Sequence, residues 1–262
     1  MSKHNNETVF FDKNGRCIPK NLINQVYPES RRYFLIPETE VNYNDVFNRI
    51  KKHLNYGDGL KIGEFESRSE NILEKLRSDS STKNIVNGAR VPFFLPKGKI
   101  DTIGGLLSDH YLKALESSFK ESNPDYDFNN FCLEDIRSTI KVVPDSSHQK
   151  LLDAMKEDTI VGYFFPCMLE YSIPAALEQL NSLPEEFLLA GGFDTCAAFI
   201  GSPNILLRTD GYPPLLWMTG IVGDKDYAGF HIEAYGYNLT FNRRPHHGNV
   251  AEYWSHALVV LG

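Results

Sequence analysis

The sequence predicts an α+β fold, with helices concentrated in the first two thirds and a mainly antiparallel sheet formed by the C-terminal third. Two observations carry this expectation. Up to about residue 187, apolar residues recur at helical spacing behind residues that cap helices well. Beyond it, short apolar runs alternate with turn signals at roughly 8–12-residue intervals, the texture of an antiparallel meander. Those signals are Gly191-Gly192, Gly201-Ser202-Pro203, Asp210-Gly211, Gly223-Asp224, Gly236, Pro245 and Gly248.

The first helix takes Asn44 as its cap and turns Val46, Phe47, Ile50 and Leu54 inward, closing at Gly57. In the second, Ser69 precedes Ile72, Leu73 and Leu76, with Glu70 and Glu74 early and Arg77 late, a charge order that suits the helix dipole. Val91 to Leu95, bounded by Gly88 and Pro96, reads as a short buried strand, and Pro92 favours a sheet edge or the strand's first residues because it cannot donate to a ladder. Asp101 or Thr102 then opens a third helix carrying Ile103, Leu106, Leu107, Tyr111, Leu112 and Leu115. Residues 121–130 are polar and turn-rich, a boundary or long surface loop between a helix-rich region 1–125 and an acidic α+β region 126–262 of one compact unit. A helix over about Ser146 to Lys156 follows, then a buried strand from Ile160 to Phe165 that ends at Pro166. Ser172 caps the next helix, with Pro174 in its first turn. The expected late strands are Thr195–Ile200, Asn204–Arg208, Leu215–Val222, Ala228–Tyr235, Tyr237–Phe241 and Ser255–Leu261.

Composition bounds the function. A chain of 262 residues, 42% hydrophobic and 23% charged, can bury a core without disulfide or metal. The stretch Met1–Phe11 lacks the basic and apolar regions of a signal peptide, and no apolar run approaches the roughly 20 residues that span a membrane. Cys17, Cys132, Cys167 and Cys196 are scattered, as in a cytoplasmic protein with reduced thiols; export without a signal leaves no trace and stays open. Residues 1–120 hold 19 Lys+Arg and 15 Asp+Glu, a net of +4, whereas residues 121–262 hold 8 and 19, a net of −11. Neither half carries the clustered cations that nucleic acid needs.

Half of the histidines, His231, His246, His247 and His256, lie in the last thirty-two residues. Imidazole titrates near neutrality, so this region is the place to look for chemistry. Alternation on Ala228–Tyr235 puts Phe230, Ile232 and Ala234 on one face and His231, Glu233 and Tyr235 on the other. That second row could wall a polar pocket, with His231 as general acid/base and Glu233 as its orienting partner; it equally suits a row facing water on a half-exposed sheet. The loop Arg243-Arg244-Pro245-His246-His247-Gly248 could clamp a carboxylate or phosphate through Arg243 and Arg244, with His246, His247 and Tyr235 completing the ligand site. In Gly191-Gly192-Phe193-Asp194-Thr195-Cys196, Asp194 could be an acid or base, while the apolar flanks of Cys196 favour a packed thiol over a nucleophile.

No cofactor is called for. Gly57-x-Gly59 and Gly104-Gly105 lack the spacing of phosphate loops, and there is no nucleophile elbow. No metal site is called for either, because adjacent histidines without an H-E-x-x-H or paired C-x-x-C make a poor ligand set. The absence of a catalytic motif and the uneven charge favour a protein-interaction or regulatory, effector-like module that binds a protein partner. The alternative is an enzyme, a hydrolase or transferase, acting on a polar or anionic small molecule through His231 and Glu233. Oligomeric state is not legible.

Overall fold

The structure is a computed structural model that describes residues 9–30, 36, 40–57, 59–132, 135–208 and 211–262. It is α+β. Helix α1 (Tyr43–His53) is capped by Asn42, whose side chain accepts the Asp45 N–H at 3.2 Å, two residues ahead of the expected Asn44. Helix α2 (Ile62–Ser78) begins seven residues before Ser69, which lies buried in mid-helix; the true start, at Lys61, carries no side-chain cap that a sequence could reveal. Strand β1 (Val91–Leu95) is buried and lies at a sheet edge, as Pro92 requires. Thr102 caps α3 (Ile103–Leu106), accepting the Gly105 N–H, and one wide turn leads on into α4 (Leu112–Ser122).

The later elements are β2 (Phe128–Asn130), β3 (Lys141–Val142), α5 (Gln149–Glu157), β4 (Ile160–Leu169) and α6 (Ile173–Leu180). They continue with β5 (Leu188–Leu189), α7 (Gly192–Gly201), β6 (Leu215–Trp217), β7 (Ile221–Val222), β8 (Ala228–Tyr235), β9 (Asn238–Pro245) and β10 (Trp254–Leu261). Ser172 caps α6 by accepting the Ala175 N–H, as its position before Pro174 implies.

Several local expectations need correction; the strand expected over Leu215–Val222, for one, is broken at Met218–Gly220 into β6 and β7, which lie in different sheets. Thr195–Ile200 belongs to helix α7, not a strand. Every residue of α7 is buried, so its all-round apolar sequence shows no helical period and looks like a core strand. Asn204–Arg208 forms turns and an irregular segment rather than a strand. Strand β4 runs on through Pro166 to Leu169. Between the pairs Phe165↔Leu258 and Met168↔His256, β4 places Pro166 and Cys167 opposite Ala257 alone. This bulge removes the need for a ladder N–H at the proline.

The main sheet runs β1-β4-β10-β6-β8-β9-β2, with β5 also on β10. β10 pairs parallel to β6 and β2 parallel to β9; the other pairs of this sheet are antiparallel. β1 and β4, from either side of the 121–130 segment, are neighbours in it. Alternation on β10 divides the core: Ala257 and Val259 face the cluster containing α7, while Leu258 and Val260 face α2 and α6. Among the described residues, no helix is long and apolar enough to cross a membrane.

Candidate functional site

Three of the four late histidines, His231, His246 and His256, come together, around an indole rather than a hollow. Trp217 on β6 is fully buried and stands opposite His231 on β8 and beside His256 on β10. Its ring meets His231 edge-on at 5.1 Å, His246 at 6.1 Å and Trp254 at 5.0 Å. The strand registers explain this. β6 lies between β8 and β10, so the odd residues of β8 and the even residues of β10 flank Trp217 on one face of the sheet.

The alternation expected for β8 holds, but its polar row is graded in depth. His231 is 0% exposed, Glu233 is partly buried, and Tyr235 is 78% exposed. His231 Nε2 lies 3.4 Å from Glu233 Oε1, while Nδ1 has no hydrogen-bond partner among the described residues. Burial, reinforced by Arg244, holds the His231 pKa below its ordinary value, although Glu233 pulls the other way. Burial pushes the Glu233 carboxyl up, but the His231 hydrogen bond and the Arg244 charge outweigh it and leave it low. An imidazole sealed under Trp217 is closed to bulk water. The groups of this row nearest solvent are Glu233, Tyr235, and Arg244, which reaches Tyr253 Oη at 3.3 Å and Glu233 at 4.0 Å.

The segment expected as a loop from Arg243 is strand as far as Pro245, and only His246, His247 and Gly248 turn. Strand alternation therefore parts the two arginines. Arg244 shares the His231 face, opposite Gly229, while Arg243, opposite Phe230, projects through the other side. There Arg243 packs 5.4 Å from the Phe230 ring and pairs with Asp224 at 2.7 Å. The two do not form one clamp. His246 is buried, whereas His247 is exposed and stacks flat on Tyr227 at 5.2 Å.

His256 is held at both nitrogens. Nδ1 lies 2.6 Å from Thr219 Oγ1, and Nε2 donates to the Tyr171 carbonyl at 2.9 Å. Burial pushes its pKa down to about 4.

Asp194 belongs to a separate buried place. At the third position of α7 its two carboxylate oxygens both accept the Gly191 N–H at 3.0 Å. Burial raises its pKa, opposed by nearby His148 and by backbone N–H groups. His148 is fully buried, and neither ring nitrogen has a partner among the described residues. Sequence reasoning did not find His148. Its signal lies in Gly191 and Gly220, whose missing side chains leave room for its ring. Burial pushes the Cys196 thiol well above its usual range, the state of a packed residue rather than a nucleophile.

Among the described residues, no three His, Cys, Asp or Glu side chains come together as a metal-ligand set. A cleft of about 250 Å³ lies beside β9, lined by Phe131, Cys132, Lys225, Tyr227 and Arg243 among others. Exposed aromatics gather along the same strands: Tyr126, Phe131, Tyr227, Tyr235 and Tyr237. Tyr126 and Tyr237 stack at 5.3 Å beside the β8–β9 turn. Compared with known proteins, the chain matches no family model, no curated protein and no solved structure.

Proposed function

We propose that this chain is a protein-interaction module that docks through the aromatic edge formed by β2, β8 and β9. One observation carries the reading. Of the nine exposed large apolar side chains among the described residues, five flank these three strands. Tyrosine gives large contact area with a polar tip at low entropic cost, which is why it recurs in binding surfaces.

Backbone conformation supports the reading. Gly236 and Tyr237 both have positive φ, +57° and +68°, as a two-residue type I′ turn requires. A bulky residue in the left-handed region is disfavoured, by roughly 1–2 kcal/mol. Tyr237 keeps that position and presents its ring beside Tyr126. The acidic balance of residues 121–262, 19 Asp+Glu against 8 Lys+Arg, suits a partner with a basic face. The enzymatic alternative is less well supported, because His231 is sealed and Arg243 is turned away from it.

A photo-crosslinking residue placed at Tyr235 tests the proposal in cells, with Ile23 on the N-terminal segment as the exposed control. A discrete protein adduct should form from position 235 and not from 23. Tyr126→Ala with Tyr237→Ala should reduce it by on the order of tenfold or more. Equal labelling from both positions, or labelling indifferent to the tyrosines, refutes the proposal.

A further inference from the structure

Backbone bonds hold the turn after β9, from His246 N–H to the Tyr227 carbonyl and from Asn249 N–H to the His246 carbonyl, each at 2.8 Å, and one imidazole ties it further from both nitrogens. His246 Nδ1 accepts the Gly248 N–H at 3.0 Å, and Nε2 lies 3.1 Å from the Asp226 carbonyl oxygen. A carbonyl can only accept, so Nε2 carries the proton and the ring is the neutral ε tautomer. A second proton has one place to go, Nδ1, where a backbone N–H already points. Two donors would then face each other, and the turn cannot satisfy both.

We propose that His246 is an acid-sensitive latch: its protonation breaks the bond to Gly248 and opens the His246–Gly248 turn, uncovering the edge of Trp217.

The other imidazoles around Trp217 lack this conflict. The Thr219 hydroxyl can rotate to accept a proton placed on His256 Nδ1. His231 Nδ1 has no donor opposing it among the described residues. The charged and titratable neighbours of His246 are Asp226 before β8, His247 beside it and His256 on β10. Trp217, from β6, brings no charge, and Pro174 of α6 approaches Gly248 without one. Burial and His247 favour the neutral ring, while Asp226 favours the charged one; the balance sets the His246 pKa below the ordinary histidine value. The latch is therefore closed at neutral pH. His247 holds a positive φ, +48°, at a cost to a residue with a side chain, whereas Gly248 adopts its +72° freely, so the bonds of the turn keep His247 in place. Its opening would also free His247 from the stack on Tyr227.

The test uses the whole chain with ¹⁵N-labelled histidine, followed by NMR and amide exchange from about pH 7.5 to about pH 4.5. At neutral pH the His246 signals should report the ε tautomer. As His246 titrates, protection of the Gly248 amide, corrected for intrinsic rate, should fall on the order of tenfold before the core strands open. His246→Asn keeps an acceptor for the N–H two residues on but cannot be protonated, so its Gly248 protection should persist in acid. A δ tautomer at neutral pH, a Gly248 amide indifferent to the His246 titration, or the same loss in His246→Asn overturns the proposal.

Discussion

The ring of His148 rests so closely on Gly191 that a methyl group there would stand 2.3 Å from Nε2. A methyl group on Gly220 would likewise stand 2.8 Å from Cγ of the same ring. Gly191→Ala should therefore lower unfolding free energy by about 2–3 kcal/mol, as overpacking of a tight core does. Chemical denaturation measures this. His148→Ala alone also destabilises, but combined with Gly191→Ala it should cost less than the sum, because the cavity admits the methyl. Additive effects would mean that the two residues do not share one space.

The parting of the arginines gives an asymmetric expectation. The Arg243 side chain is 7% exposed against 36% for Arg244. Arg243→Ala should cost about 1–2 kcal/mol through lost packing on Phe230 and lost pairing with Asp224. Arg244→Ala should cost less than about 0.5 kcal/mol, the usual scale for a loosely paired surface arginine. Equal losses in urea unfolding would contradict the opposite-face arrangement.

Acid should weaken the fold before it unfolds it. His256 has a folded pKa of about 4, below the 6.5 of an unperturbed histidine. Its unfolded form thus binds a proton first as pH falls. The associated stability is complete above the unfolded value and is lost as pH drops toward the folded one. Unfolding free energy measured near neutrality and again near pH 5 should differ by roughly 1–3 kcal/mol, since a tenfold difference in proton affinity is worth about 1.4 kcal/mol. His256→Gln should flatten that slope. Both tryptophans of the chain, Trp217 and Trp254, lie in this cluster, so their emission follows it directly.

Tyr237 should trade stability against binding. Tyr237→Asn places a residue tolerant of positive φ in the turn, so thermal stability should hold or rise by up to about 1 kcal/mol, less the loss of the Tyr126 stack. Adduct formation from position 235 should fall in the same variant. A stability loss above that scale would mean that the tyrosine is there for the fold.

The sequence spoke clearly where local physics dominates. Thr102 and Ser172 cap helices as their positions imply, and Pro92 stands at the edge. The period-two face of β8 was readable, whereas the run of β9 through Arg243 and Arg244, which parts the two arginines, was not. What failed depended on three-dimensional partners. Helix α7 is wrapped on every side, which erased its period. The depth of His231 came from Trp217, distant in sequence, and the bulge that admits Pro166 came from Ala257 on β10. His148 was invisible because its reason for being there is two glycines on other segments.

Strand β10 lies at the centre of the sheet, bonded to β4 on one flank and, along the other, to β6 at Trp254–His256 and to β5 at Leu258–Val259. During synthesis the ribosome delivers these residues after the other described strands of the sheet. A nascent polypeptide ending before Trp254 would hold two unjoined half-sheets, each with a bare hydrogen-bonding margin prone to pairing with neighbours. Attainment of the native state must await β10, and small deletions within it should be far less tolerated than equal deletions in the 121–126 stretch.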